Sequence, residues 1–485
     1  MNPSLSPSGA EAYPGLPGFR LSRRPSVPPS LLLPAVRLFD PGLELERRVD
    51  LLLEGGRIAS YSPSPSERAQ ALRRDDLEGC TVFPGFVDIH THLRTPGFEY
   101  KEDIASGTRA AAAGGYVAVL NMANTNPVVD NGPVAAWVLD EAERSARVRV
   151  GQVGAVTLGL AGEQLAELRE LEDAGVAAYS DDGRPLENAD VLLQTLRYLR
   201  GRNRPLLLHL EELRLCSGGS VHEGRWSARL GLRGVPSAAE TVALATALEV
   251  IRYAALEAQR QGMEPVRVHF QHLSAEGSVS LLRSAREEGL PVTAEATPHH
   301  LILTDEEVQS FEQSLKMNPP LRAESDREAL VEALAEGLIA CVATDHAPHA
   351  PHEKEVPFEE APFGTIGLES AFPALNRELV GSLSLGLDRL VEAMSAGPCH
   401  VLGLPVPRLS EGSPADLCVV DLNDEWEFSR EDLAGKSRNS AFLGRKVQGR
   451  IRLTLVGGSI AWDKEAESGG AGSGSDRGGA GKRGD

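Results

Sequence analysis

Lysine is missing from the whole stretch between Lys101 and Lys316, so no lysine-derived group can come from the middle of the chain. Cysteine is sparse: five residues, at 80, 216, 341, 399 and 418, an odd number with no Cys-x-x-Cys spacing. That excludes a disulfide framework and fits reduced thiols in a cytoplasm. No apolar run approaches the ~20 residues of a membrane span. The first 30 residues carry Arg20, Arg23 and Arg24 but lack the apolar core of a secretory signal. Positive charge is also short, with 49 Lys and Arg against 69 Asp and Glu, a net charge of -20. This argues against nucleic acids and anionic membranes as partners. It also means that an anionic small substrate would need local cations at its site.

What remains is an ordinary globular composition, 41% hydrophobic, in 485 residues, enough for one large domain and a smaller one. Residues 1–30 are rich in Pro, Ser and Gly without periodicity and are expected to be a disordered extension. Short alternating segments follow at Ala35–Phe39, Arg48–Leu53 and Arg57–Tyr61, with Gly55-Gly56 marking a hairpin. Similar segments return at Asp416–Asp421 and Arg450–Val456. Residues 31–82 and 401–463 are therefore expected to form one small β-sandwich domain from both chain ends. Residues 464–485 read as a flexible Gly-rich tail.

Between 83 and 400 strand and helix patterns alternate. Strands are expected near Val82–His92, Tyr116–Asn121, Val148–Thr157, Val176–Ser180, Pro205–His209, Val266–His272, Val292–Thr297 and Leu338–Asp345. Helical patterns between them include Ile104–Ala113, stopped by Gly114-Gly115, as well as Gly162–Leu171 and Ala238–Gln259. Eight βα units imply a parallel sheet closed into a (β/α)₈ TIM-like barrel. Functional groups of such a barrel lie where its strands end. Those ends read His90 and His92, Asn121 and Asn124, Asp181-Asp182, His209, His272, Thr297-Pro-His299-His300, and Asp345-His346. A core alone does not require His and Asp there, so a metal site is the expectation. Imidazole and carboxylate ligands suit Zn²⁺, and four histidines with two aspartates exceed the needs of one tetrahedral ion. Two ions sharing a carboxylate would activate water and polarise a carbonyl. His299 and His300 are expected to structure the loop after the seventh strand. On strand parity His269 faces away from the site.

Four motifs make a specific resemblance: Pro84-Gly-Phe-Val-Asp-Ile-His-Thr-His-Leu-Arg-Thr-Pro-Gly97, Asn124-Thr-Asn-Pro127, Lys316-Met-Asn-Pro-Pro-Leu-Arg322, and Thr344-Asp-His-Ala-Pro-His349 with Ala361-Pro-Phe-Gly364. From about residue 31 to 460 the chain resembles the dihydroorotases of the amidohydrolase superfamily, in the class often found beside aspartate transcarbamoylase. The resemblance implies zinc, one or two ions per chain, with His90, His92 and Asp345 on one, His209 and His272 on the other, and Asp182 between them. It implies that Arg94, Asn124 and His349 hold a substrate carboxylate, with Asn318 and the Phe363-Gly364 backbone on the ring. Asp345 would carry the proton between attacking water and leaving ring nitrogen. The segment 346–364 would close over the site. Departures are mild: Met122-Ala-Asn-Thr125 stands for the usual Met-Pro-Asn-Thr, and Arg94-Thr-Pro-Gly97 for Arg-Glu-Pro-Gly.

The implied reaction is reversible cyclisation of N-carbamoyl-L-aspartate to L-dihydroorotate in pyrimidine biosynthesis, in a cytoplasmic homo-oligomer (a dimer) with aspartate transcarbamoylase as a candidate partner. The competing readings are another cyclic amidohydrolase, hydantoinase or allantoinase, and a non-catalytic scaffold for the transcarbamoylase. Hydantoinases and another dihydroorotase class bridge their metals with a CO₂-carboxylated lysine. The lysine gap leaves Asp182 for that place here.

Overall fold

A computed structural model describes residues 19–20, 28 and 30–470. Eight parallel strands follow one another around the centre: β1 (Phe86–Thr91), β2 (Tyr116–Asn121), β3 (Arg149–Gly154), β4 (Ala178–Tyr179), β5 (Leu206–Leu208), β6 (Val268–Phe270), β7 (Val292–Ala296) and β8 (Cys341–Val342). Nearly all their residues are buried, because helices cover the outside while side chains fill the inside. This selects the Val-, Leu- and Ala-rich runs seen in the sequence. The ring closes between β8 and β1. Thr91 bridges His346, the His92 amide donates to the His346 carbonyl at 2.9 Å, and Asp88 accepts from the amides of His90 and Thr344.

The chain ends build the second unit as expected. One continuous mixed sheet runs in the order Ser459–Asp463, Lys446–Val456, Leu417–Glu427, Thr81–Pro84, Ser30–Asp40, Leu45–Glu54, Arg57–Ser60, with Leu72–Arg73 added beside Ser30–Asp40. One face encloses its own core, including Leu33, Leu51, Val82, Leu417 and Leu453. The other contributes Phe83, Cys418, Val420 and Ile451 to the barrel core. Thr81–Pro84 lies at the centre of this sheet and passes through Gly85 directly into β1. A Cβ at Gly85 would lie 2.2 Å from Val117, so only glycine permits that approach. The strand that begins the site is thus anchored at its root.

Three expectations need correction. The helix expected over 162–171 starts only at Leu168, because Gly162 has φ +72° and residues 156–166 fold back on themselves. Leu158 donates to the Gln164 carbonyl and Ala166 to that of Val156. These backbone bonds compete with the helical ones and win. The extension expected over 1–30 contains a short strand, Phe19–Arg20, antiparallel to β3, with Phe19 buried against Gly151. The tail expected over 464–485 begins as a helix, Lys464–Gly470. The remainder of both stretches, apart from residues 28 and 30, lies outside the described residues. Among the described residues no helix is long and apolar enough to cross a membrane.

Candidate metal centre and its rim

The barrel brings the strand-end residues together. The ligand atoms of His90, His92 and Asp345 lie within 4.8 Å of one another, as do those of His90, Asp182 and His272. His92 Nε2 is 3.0 Å and His90 Nε2 3.4 Å from Asp345 Oδ1. Asp182 reaches both histidine pairs: Oδ1 is 3.3 Å from His90 Nε2 and 3.8 Å from His209 Nδ1 and His272 Nε2, while Oδ2 is 3.5 Å from His92 Nε2. His209 Nδ1 and His272 Nε2 are 2.9 Å apart. Two of these residues sit at positive φ, Asp345 at +47° and His272 at +31°, a backbone region unusual outside glycine. At His272 this turn redirects the ring into the barrel just after β6 ends.

The hydrogen bonds behind these groups decide what they can bind. His90 Nδ1 is 2.6 Å from Glu295 Oε1, and His209 Nε2 is 3.0 Å from Glu211 Oε2. Both partners are carboxylates held near a pKa of about 2, each against the opposing effect of burial: Glu295 by His90 and His269, Glu211 by His209. They accept only, so the imidazoles donate. His92 Nδ1 meets the Asn124 Oδ1 oxygen at 2.9 Å, because the Asn124 amide nitrogen faces Asp182. In the neutral ring, His90 and His92 therefore turn a lone pair toward Asp182 and Asp345, and His209 turns its Nδ1 toward His272 Nε2 and Asp182. Lone pairs facing carboxylates repel unless a cation lies between them. His90 Nε2 is fully buried and has no hydrogen-bond partner. Burial opposes a charge on His90, yet Asp182 and Asp345 push its imidazole well above the ordinary value. Burial likewise opposes ionisation of Asp182, yet His90 and His272 hold it well below the usual carboxylate range. The donor set fits divalent cations with nitrogen and oxygen ligands.

Asp181 does something different. It caps the loop after β3, accepting from the amides of Val156 and Thr157 and from the Thr157 hydroxyl. Burial raises its carboxyl to about 6.

Around these candidate ligands the other predicted residues form a rim, most of them on loops. Arg94, at φ +60°, donates from Nε to the Pro348 carbonyl at 3.1 Å and pairs with no carboxylate among the described residues. Burial lowers its pKa. Asn124 Nδ2 reaches Asp182 only at 3.3–3.4 Å. His349 donates from Nε2 to the Phe363 carbonyl at 2.8 Å, which leaves its buried Nδ1 without a hydrogen bond. Burial, then Arg94, lowers its pKa to about 3. The Gly364 amide donates to the Lys316 carbonyl at 2.8 Å. A Cβ at Gly364 would meet Ala347 at 2.7 Å, and its φ of +127° independently requires glycine. Asn318 Nδ2 donates to Glu211 at 2.9 Å. The segment 346–364 is ordered across this rim, with Glu353 tied to Lys101 at 2.8 Å and to the Tyr100 hydroxyl at 3.2 Å. The Lys101 side chain is only 13% exposed because of that pair.

A family model described as dihydro-orotase-like matches residues 79–257. The dihydroorotase of Desulforapulum autotrophicum is 41% identical over 429 residues, covering 88% of this chain and 98% of that protein. Those of Geotalea daltonii and Anaeromyxobacter dehalogenans are each 42% identical, over 88% and 90% of this chain and 98% of each relative. The chain belongs to the dihydroorotase family. In fold this family member is also similar to the L-hydantoinase of Arthrobacter aurescens, with a TM-score of 0.77, 24% identity and coverage of 90% and 96%. The dihydropyrimidinase of Brevibacillus agri gives 0.74 at 20% identity, covering 90% of this chain and 95% of that one.

Several residues of this dihydroorotase-family site did not stand out in the motif pattern. Glu295 sits beneath His90 and also takes His269 Nε2 at 3.0 Å and the His272 amide at 3.2 Å. His269 therefore faces the barrel interior rather than away from it. Parity misleads because His272 turns inward through its positive φ. A signal did exist: Glu295 is an acid inside the apolar run Val292–Ala296, and a buried carboxylate needs partners. Glu211 follows His209 by two residues, which in extended chain returns to the same side. His299 and His300 are buried beside Leu301. His300 binds Thr297 and the Pro319 carbonyl, as a loop-structuring residue should.

Proposed function

We propose that the chain interconverts N-carbamoyl-L-aspartate and L-dihydroorotate, closing or hydrolysing a cyclic amide. The observation that carries this reading is about 40% identity to proteins named dihydroorotase along nearly their full length. The donor set at the strand ends supports it. His90, His92 and Asp345 would hold one Zn²⁺, His209 and His272 a second, and Asp182 both. When bound, such ions would lower the pKa of water and polarise the scissile carbonyl.

The chain's own residues supply the rest. Arg94, a cation without a carboxylate partner among the described residues, supports a substrate that brings one, against an overall charge of -20. His349 lies across the same opening. Asn124 can join them by giving up its long contact to Asp182, which at 3.3 Å costs little. Asn318 and the Phe363-Gly364 backbone face the ring. Asp345, held ionised beside His90 and His92 against burial, accepts a proton from attacking water and returns it to the leaving ring nitrogen. Fixing the carboxylate on the rim sets the ring against the floor, so binding becomes orientation.

The hydantoinase-like neighbours share the fold and mark the alternative, a ring amide without a carboxylate. Turnover of L-dihydroorotate, hydantoin and dihydrouracil by the purified chain, alongside metal analysis, tests the reading. We expect zinc and a preference for dihydroorotate of ~10²-fold or more, the scale of a lost charge-assisted contact at a buried site. Faster turnover of either uncharged ring would overturn it.

A further inference from the structure

Among the groups that the proposed reaction leaves without a task, Glu211 makes the most telling contacts. One oxygen, Oε2, accepts from His209 Nε2 at 3.0 Å and from Asn318 Nδ2 at 2.9 Å. The first residue belongs to the end of β5 and the proposed second metal position. The second belongs to the loop 316–322 after β7. No other contact among the described residues joins the Asn318 side chain to the metal-ligand set. The carboxylate itself is largely buried, with its side chain 13% exposed.

The chemistry of the two bonds is specific. Donation from Nε2 to an acceptor-only group holds His209 in the tautomer whose Nδ1 lone pair faces Asp182. Donation from the Asn318 amide nitrogen to the same oxygen fixes that amide's orientation. Its Oδ1 then remains as an acceptor, suited to an N–H of a cyclic amide or of the open carbamoyl chain. We propose that Glu211 is a positioning residue that couples recognition of the substrate's N–H to the second metal position. Displacing either partner changes the geometry available to the other, because both share one atom. The inference rests on the assignment of His209 to a metal and of Asn318 to the ring.

Two variants and two readouts separate this from a merely structural role. Glu211→Ala removes the shared acceptor, and Glu211→Gln keeps its shape. Competition between the protein and a chelator for Co²⁺ measures the His209 arm without any substrate. We expect Glu211→Ala to bind the more weakly held ion ~10–100-fold less tightly, with partial recovery in Glu211→Gln. At saturating metal, KM for dihydroorotate should rise in Glu211→Ala. The KM effects of Glu211→Ala and Asn318→Ala should combine to less than their product, since each breaks the same bond. Metal affinity within twofold of the parent in folded Glu211→Ala would overturn the positioning role, and so would a Glu211→Gln that recovers none of a loss seen in Glu211→Ala. Independent, fully multiplying KM effects would overturn the coupling. The chelator arm stands whatever ring the enzyme prefers, so a failed dihydroorotate assay is distinguishable from a failed Glu211 assignment.

Discussion

The floor and the rim of the site are built on opposite terms. On the floor, His90, His92 and His209 are each backed by a hydrogen bond at 2.6–3.0 Å, and the residues providing it are themselves held in place. These bonds set the faces of His90 and His92 before any cation is bound, while His209 Nδ1 still meets His272 Nε2 at 2.9 Å. On the rim, the groups suited to substrate are occupied with one another: Arg94 with Pro348, His349 with Phe363, Asn318 with Glu211. A substrate must satisfy or replace these contacts. The floor is preorganised by short strands buried in a barrel, whereas the rim sits mostly on loops that can exchange partners. The difference predicts that floor substitutions act on turnover and metal, and rim substitutions on KM.

The largest effect should come from the floor. Asp345→Asn preserves shape but removes the proposed base, and kcat should fall ~10²–10⁴-fold with the fold intact. Turnover near that of the parent would deny Asp345 its role. On the rim, Arg94→Met would delete the proposed charge-assisted contact to a substrate carboxylate, and KM for dihydroorotate should rise ~10–100-fold with a smaller change in kcat. A kcat loss at constant KM would erase the distinction between floor and rim. Lys101→Met loosens the tie between the 346–364 segment and the loop after β1. Its ion pair with Glu353 is partly exposed, so a contribution of about 1 kcal/mol and a KM increase of ~3–10-fold are expected. Limited proteolysis within 346–364 should speed up in the same variant.

Much of the floor was legible in the sequence because histidine and aspartate at the ends of apolar strands are conspicuous there. His90 and His92 share a face by simple alternation, although the pairing of β1 with β2 shifts register between Asp88 and Thr91. The supporting layer was not legible. Glu295 and Glu211 acquire meaning only once β7 passes behind His90 and the 316–322 loop meets the segment just after β5, contacts between residues 205 and 107 positions apart. Local backbone departures also escaped the pattern. The positive φ at His272 reversed the parity that set His269 apart, and the turn at Gly162 displaced a helix that periodicity favoured. The rim was legible as motifs, but its mutual contacts depend on loop geometry.

The two adjacent aspartates after β4 give the comparison its sharpest form, because only one of them belongs to the floor. Asp181 is spent on three donors from the loop after β3, while Asp182 reaches His90, His92, His209 and His272. A carboxylate of the chain needs no reaction with CO₂ before it can join two cations, whereas a lysine does. The nearest lysines cannot take its place: Lys101 is paired with Glu353, and Lys316 donates to the Glu359 carbonyl. Metal-free protein reconstituted with Zn²⁺ in CO₂-depleted buffer should therefore regain the same metal content and activity as with bicarbonate added. No change at all is the expected effect. A marked bicarbonate requirement would reject the assignment, and so would full metal content and activity in Asp182→Ala. Asp181→Asn supplies the control: it removes charge from the β3 loop anchor and should leave metal stoichiometry unchanged, since no ligand atom of the floor touches that carboxylate.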